Sequence, residues 1–276
     1  AAPVHIPGMN EPGLTRLLDQ STLASRASDP STPDWLAAHW ESFEASLTGE
    51  RDGSPFPCFF AAESLRQGDP LYTVVDSMTD PEALFGLGRV LVEYLDVWRD
   101  HSDRASLVAF FRPPARELGE REYHERLWNV LQFLHVHDPE PWPADIPTDP
   151  DTCKWEFCFA GEPFFPTCRA PFYDERRSRY CPVGLEITFQ PRALFEALNV
   201  TADHPTGQEA REIIQRRIED YDDLPPHPLL GDWGIKGDRE WHQYLLPADE
   251  KRAPDRPPIR VTRDHPKADP IERATS

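Results

Sequence analysis

The sequence predicts an α+β (mixed α/β) fold, in which a central mixed β-sheet carries flanking helices and long functional loops. Amphipathic helical patterns recur along the chain, short apolar runs typical of strands lie between them, and the two kinds of element do not alternate strictly. With 276 residues, 39% of them hydrophobic and 11% aromatic, the chain is long enough for one substantial core with extensions.

The first half of the chain predicts two helices and two strands around a proline-rich segment. Residues 34–48 carry several aromatic side chains on one helical face. Residues 54–60 contain too much proline for a helix. The apolar runs at 71–76 and 106–111 are typical of strands, and between them a helix with an apolar stripe starts at Asp80-Pro81.

The second half predicts further helices and two more strands. Residues 118–136 place their apolar side chains on one side of a helix. Strand alternation at 155–161 and 184–190 brackets a long connection, residues 162–183. Long connections in compact domains are usually functional or disordered, and this one contains too many aromatic residues to be disordered. An amphipathic helix and a short final element follow at 207–221 and 239–246.

The two ends of the chain have a different composition from the centre. Residues 1–33 are rich in Pro, Ser, Ala and Asp without periodicity, and residues 247–276 are rich in proline and charge. We therefore predict an N-terminal arm at 1–33, a single domain at 34–246 and a C-terminal tail at 247–276.

Charge and cysteine content restrict the classes of partner. A formal net charge of −19 repels a phosphate backbone, so no nucleic-acid partner is expected, whereas a small cationic ligand would be attracted. There is no apolar run that could span a bilayer, so no membrane partner is expected. Five cysteines without CxxC spacing favour neither a disulfide framework nor a structural zinc site, which fits a cytoplasmic location.

The motif FPCFF at residues 56–60 is the first candidate for a site. Pro57 restricts the backbone just before Cys58, and Phe56, Phe59 and Phe60 surround the thiol with apolar surface. A thiolate that ligates a metal cofactor needs such a rigid and water-poor setting. The alternative is that Cys58 is a small buried hydrophobic residue.

A second candidate lies at the end of the predicted helix 118–136. His135 and His137 are two positions apart, so a helix cannot direct both to one metal ion. One of them is a candidate axial ligand or proton carrier, with Asp138 as the carboxylate that orients it. The alternative is a pair of histidines that interact with the helix dipole.

The third candidate is the segment from Trp155 to Gln190. Its phenylalanines, including Phe164 and Phe165, offer an apolar wall, and its arginines form the dense positive cluster of an acidic protein. Guanidinium groups beside an aromatic wall suit a flat apolar ligand with carboxylates, of which heme is one. The alternative is a solvated basic loop. The arginines are Arg169, Arg176, Arg177 and Arg179.

The ordered set FPCFFA, WEFCFAGEPFF, APFYDERRSR, LEITFQPR and HPLLGDWG resembles the YqcI/YcgG family from about Asp52 to Leu246. The resemblance implies a heme b (iron protoporphyrin IX) enzyme that uses O2 to N-hydroxylate a guanidine or amine, such as arginine or a derivative, in natural-product biosynthesis. Residues 34–246 would be its heme-binding catalytic domain. Because no flavin or dinucleotide motif is present, electrons would come from an external donor, a reductase or ferredoxin.

The resemblance carries over to Cys58, Ser178, Arg179, Phe164 and Phe165, and the mechanism that it suggests gives roles to further residues of the candidate sites. Cys58 would ligate the iron, with His135 or His137 as alternatives. The heme would further be held by Arg169, Arg177, Ser178 and Arg179. The substrate would contact Trp155, Glu162, Phe164 and Phe165. His135 and Asp138 would be catalytic.

Two other functions remain open at this point. A heme-binding or redox-sensing protein without oxygenase activity would use the same ligands but bind no guanidine substrate. A binding module without heme would use the aromatic and arginine residues for another carboxylated ligand. Pigment and metal content would separate these possibilities.

Overall fold

The computed structural model describes residues 15–248, 257–263 and 269–272, and it has an α+β fold, as predicted. The α-helices are α1 Gln20–Ala27, α2 Asp34–Thr48, α3 Phe59–Gln67, α4 Pro81–His101, α5 Glu120–Val136, α6 Arg192–Ala197 and α7 Pro205–Asp222. The strands are β1 Glu50–Arg51, β2 Ser54–Pro55, β3 Leu71–Val75, β4 Leu107–Phe111, β5 Phe157–Phe159, β6 Glu162–Arg169 and β7 Glu186–Pro191. Two 3-10 turns lie at Arg177–Arg179 and Glu240–Gln243.

A five-stranded mixed sheet forms the centre of the fold, with the strand order β3-β4-β7-β6-β5. Strands β3 and β4 are parallel, and the other neighbours are antiparallel. Strands β1 and β2 form a separate antiparallel pair just before Cys58.

Helices cover the sheet on both sides, because side chains of successive strand residues point to opposite faces. Leu107, Ala109 and Phe111 of β4 pack in the cluster that contains the buried residues of α4 and α5. Val108 and Phe110 pack in the cluster of α1, α2 and α3. We call these sides the α4/α5 face and the α2/α3 face.

The long amphipathic helices form where the sequence predicts them. Asp80 caps α4 by accepting hydrogen bonds from the amides of Glu82 and Ala83, as expected for an Asp before Pro at the first helical position. In α5, Glu122 accepts a hydrogen bond from the Gly119 amide. Among the described residues, no helix is both long enough and apolar enough to cross a membrane.

Two predictions about local structure were wrong. The proline-rich segment 54–60 contains the start of α3, because Pro57 precedes the first helical turn and therefore removes no helical hydrogen bond. The predicted loop 162–183 begins with strand β6. A tight turn joins β5 to β6, and it requires left-handed backbone at Ala160 (φ 52°) and Gly161 (φ 80°).

The described parts of both predicted extensions contact the domain. The backbone of Leu18 forms two hydrogen bonds of 2.8 Å with Tyr72 of β3, and α1 buries Leu23. In the C-terminal segment, Ile271 is buried against Gly88 of α4, where a Cβ atom would collide with its Cδ1. The rest of the predicted arm and tail lies outside the described residues, and the domain boundaries stay a prediction.

Candidate functional site

The predicted site residues form two groups that lie far apart. Cys58, Ser178 and Arg179 lie near the end of β6 that carries Arg169, whereas Glu162 is at its other end. Seven residue steps separate Glu162 from Arg169, which corresponds to about 23 Å along a strand. We call the first group the Cys58 site and the second the hairpin group, which comprises His135, His137, Asp138, Trp155, Glu162, Phe164 and Phe165.

Cys58 is the N-cap residue of α3 and is partly exposed. Buried Phe56 packs edge-on against Tyr221 of α7, at 5.8 Å between ring centroids, and this contact fixes the chain before the thiol. The amides of Phe60 and Ala61 lie near the sulfur and lower the pKa of the thiol, although Cys58 makes no side-chain capping hydrogen bond. A helix N-terminus therefore stabilises negative charge on this atom.

Burial raises the pKa of the Cys58 thiol, and this effect outweighs the opposing one of the two amides and of the nearby charges of Arg179 and Arg217. The sulfur is therefore a thiol at neutral pH in the protein alone. The donors around it favour the thiolate once a bound cation replaces the proton.

Aromatic and basic side chains surround the thiol. The rings of Phe59 and Phe60 lie 4.3 Å apart, and the guanidinium of Arg217 lies 5.4 Å from the centroid of Phe59. All three side chains are partly exposed. Arg217 is on α7 and was not predicted as a site residue. The sequence shows it only as one position of an amphipathic helix, which does not indicate a ligand contact.

The 3-10 turn beside Cys58 is held by Asp222 at the end of α7. Asp222 accepts hydrogen bonds of 2.7 Å from both the amide and the hydroxyl of Ser178. Arg179 donates to the Gln243 carbonyl at 3.1 Å, whereas Arg177 is exposed and lies 5.4 Å from the Tyr180 ring. The turn therefore fixes Ser178 and Arg179, and leaves Arg177 toward solvent.

Burial raises the pKa of Asp222, although the Ser178 hydrogen bonds and the charges of Arg176 and Arg179 act in the other direction. Sequence analysis missed this carboxylate because it is one of several acidic residues at the end of α7.

Arg169 is engaged by the protein itself. Its NH1 donates to Glu186 Oε2 at 3.0 Å, and its NH2 donates at 2.7 Å to both Ser46 Oγ and the Tyr180 carbonyl. A cofactor carboxylate would have to replace one of these partners.

The polar residues of the hairpin group support the turn and the chain around it. Asp138 is buried, and its Oδ1 accepts hydrogen bonds of 2.9 Å from the amides of Ala160 and Glu140. The buried ring of His135 accepts a 3.0 Å hydrogen bond at Nε2 from the Thr262 amide. His137 donates from Nδ1 to the Asp269 carbonyl at 2.9 Å.

The aromatic members of the hairpin group are mostly core residues. Trp155 is fully buried and stacks on Trp142, and Phe164 is fully buried against Phe189. Phe165 is partly exposed. Because Trp155 and Phe164 pack with α5 on the α4/α5 face, the fold does not bring them to Cys58.

Sequence analysis also missed a buried charge network beside β5. The guanidinium of Arg192 donates to both oxygens of Glu156, at 2.5 and 2.6 Å, and to Glu240 at 3.0 Å. Trp233 covers it at 4.1 Å. Burial raises the pKa of both Glu240 and Glu156, and the Glu156 charge adds to the rise at Glu240, whereas Arg192 opposes it at both carboxylates.

The profile of the YqcI/YcgG family matches residues 43–260 of the chain. Two Bacillus subtilis proteins named as uncharacterized are similar to it. YcgG is 38% identical over 231 residues, which cover 80% of this chain and 86% of YcgG. YqcI is 35% identical over 219 residues, which cover 77% of this chain and 85% of YqcI.

A third relative is DcsA of Streptomyces lavendulae, provisionally named an N(omega)-hydroxy-L-arginine synthase. It is 30% identical over 222 residues, which cover 79% of this chain and 82% of DcsA. No solved structure matches the chain significantly. From the family profile and these three relatives, the chain belongs to the YqcI/YcgG family.

Proposed function

We propose that this protein is a heme-dependent N-oxygenase that hydroxylates a nitrogen of a guanidine or amine, with arginine or an arginine derivative as the substrate class. The observation that carries the proposal is the Cys58 thiol at the start of α3, with two amide donors and two arginines around it. The name of the relative DcsA supports the choice of arginine chemistry.

The residues around Cys58 fit a heme. Cys58 is a partly exposed residue whose neighbouring amides and arginines favour the thiolate once a cation binds. Phe59 and Phe60 offer apolar surface, and Arg179 and Arg217 offer positive charge for the propionates. When bound, heme would supply the activation of O2, with electrons from an external reductase or ferredoxin.

The chain's own residues would hold and orient both groups. Arg179 is fixed by the Gln243 carbonyl, and Ser178 by Asp222, so one propionate would meet a preorganised guanidinium. Asp222 is a buried carboxylate of the Cys58 site, and we take it as the partner of a cationic substrate because each of its oxygens accepts only one hydrogen bond from Ser178. The net charge of −19 attracts such a cation to the protein.

The proposal does not rest on the hairpin group. Glu162 and Phe165 keep some exposure, but Glu162 lies at the end of β6 opposite Arg169, too far for an arginine bound at Cys58 to reach. His135 and Asp138, expected as catalytic residues, already bind backbone amides.

The test is the absorption spectrum of the full-length protein expressed with an ample supply of heme precursor. We expect a Soret band that shifts or disappears in Cys58→Ala, and is unchanged in Cys153→Ala, a partly exposed cysteine before β5. Absence of a Soret band in the parent protein would overturn the proposal. An unchanged band in Cys58→Ala would remove Cys58 as the ligand.

A second measurement tests the substrate class. Arginine and agmatine are added to the ferric protein, and the products of turnover with a reductase are weighed by mass spectrometry. A spectral shift and a product heavier by one oxygen atom support N-hydroxylation. If heme is bound but arginine, agmatine and simple amines cause neither effect, a heme sensor without oxygenase activity is the correct function.

A further inference from the structure

Three buried side chains from distant parts of the sequence meet on the α2/α3 face. They are His39 of α2, Cys181 after the 3-10 turn at 177–179, and Glu186 of β7. His39 Nδ1 lies 3.4 Å from Glu186 Oε1 and 3.7 Å from Cys181 Sγ, and the three donor atoms all lie within 4.8 Å of one another.

These separations are long for a direct hydrogen bond between charged groups. An imidazolium that donates to a carboxylate normally approaches it to about 2.7–2.9 Å. Ligands of a tetrahedral zinc ion lie farther apart, since bonds of about 2.0 Å to N and O and about 2.3 Å to S give edges of about 3.3 Å for N to O and about 3.5 Å for N to S. The observed 3.4 and 3.7 Å are close to these edges.

The other side of the imidazole is arranged as in known metal sites. His39 Nε2 carries a hydrogen, because it donates to the Phe111 carbonyl at 2.9 Å, and Nδ1 faces the thiol and the carboxylate. In the neutral ring, Nδ1 offers its lone pair to a metal ion. Metal-binding histidines usually donate their second ring N–H in this way. Phe110 stacks on the ring, with 5.1 Å between the two centroids.

Glu186 is also held from behind. Arg169 donates to Oε2 at 3.0 Å, which leaves Oε1 toward His39. The Cys181 thiol gives up its proton when a cation binds, because the thiolate is the form that ligates a metal.

We propose that His39, Cys181 and Glu186 bind one divalent transition-metal ion, with Zn²⁺ as the preferred ion and a structural role that joins α2 to β7. Binding releases the thiol proton of Cys181 to solvent and forms one metal–sulfur bond, without any oxidation or reduction. A nitrogen, a sulfur and an oxygen donor favour Zn²⁺ over Mg²⁺ or Ca²⁺, and they fill three of the four positions of a tetrahedral ion. The sequence predicted no zinc site because it has no CxxC pair. His39 lies 142 positions from Cys181 and 147 positions from Glu186, so only the tertiary fold brings the three side chains together.

The competing occupant is a proton on His39 Nδ1, which would make an imidazolium paired with Glu186. The guanidinium of Arg169 works against both a proton and a metal ion at this position, because it already neutralises the carboxylate. The two alternatives predict different metal contents, so a measurement of bound Zn²⁺ distinguishes them.

The test uses the full-length protein, purified without chelator and then titrated with Zn²⁺ or Co²⁺ alone. We expect about one equivalent of Zn²⁺ per chain, counted separately from heme iron, and a thiolate-to-cobalt charge-transfer band in the near ultraviolet with Co²⁺. Cys181→Ser should remove the band and weaken Zn²⁺ binding at least tenfold. Cys168→Ser is the matched control, because Cys168 is buried on the opposite face of the sheet, and it should keep the band.

The spectrum of the parent protein decides the question even if Cys181→Ser fails to fold. Less than one tenth of an equivalent of Zn²⁺ together with no cobalt–thiolate band would overturn the proposal in favour of the proton. A band that persists in a folded Cys181→Ser variant would also overturn it, because the sulfur would then belong to another cysteine.

Discussion

Removal of the Asp138 carboxylate tests whether this residue is structural or catalytic. One oxygen of Asp138 accepts two hydrogen bonds from the amides of Glu140 and Ala160, in a buried position. In Asp138→Ala both amides lose their acceptor. A buried donor without a partner costs about 1–3 kcal/mol, so the free energy of unfolding should fall by about 2–6 kcal/mol.

Urea unfolding followed by circular dichroism measures this loss, and thermal unfolding should show a decrease in Tm of roughly 5–20 °C. Asp138→Asn keeps a carbonyl oxygen in the same place and should lose only about 1 kcal/mol. Asp103→Ala, at an exposed position after α4, is the control and should stay within about 0.5 kcal/mol of the parent.

The same pair of variants separates support of the turn from catalysis. If Asp138 only fixes the turn, Asp138→Asn keeps its turnover. A loss of less than about 0.5 kcal/mol in Asp138→Ala would refute the structural role. A folded Asp138→Asn protein without turnover would instead favour the catalytic role that the family resemblance implies.

Three further predictions follow from described contacts. Gly88→Ala should lower the free energy of unfolding by about 1–3 kcal/mol through overpacking, and Ile271→Ala should relieve most of this effect in the double variant, as double-mutant unfolding curves would show. Because burial raises the pKa of the Cys58 thiol, its alkylation by iodoacetamide in the heme-free protein should be slow at pH 7. The rate should increase only above pH 9, the pKa of an ordinary thiol, and fast modification at pH 7 would contradict this. The pKa of Glu240 is raised in the folded protein, so the unfolded chain loses this proton first and the free energy of unfolding falls as pH rises above about 4.5. Glu240→Gln should flatten this pH dependence while Arg192 stays paired. An unchanged dependence of the free energy of unfolding on pH would contradict the raised pKa.

The sequence predicted the long helices and most of the sheet because their apolar periodicity is strong. Strand β6 was missed because Pro163 and Pro166 argue against a strand, whereas the left-handed turn at Ala160 and Gly161 determines the hairpin. The start of α3 was missed for a related reason, since proline excludes a helix only beyond its first turn.

The candidate site was predicted less completely than the fold. Local motifs identified Cys58 and Arg179, which the structure places near each other. These motifs could not show that Cys58 and His135 lie on opposite faces of the sheet. The face on which a residue lies is determined only when the strands pair. Asp222 and the group of His39, Cys181 and Glu186 depend on tertiary contacts that no local pattern carries.

The backbone pairing of Leu18 with Tyr72 has a consequence for the association of copies of the chain. Strand β3 is at one edge of the five-stranded sheet, and an open edge offers unpaired N–H and C=O groups to any extended segment. Leu18 occupies both groups of Tyr72, near the middle of this edge. The segment before α1 therefore limits edge-to-edge aggregation, and a chain that begins after Leu18 would expose the edge at this point.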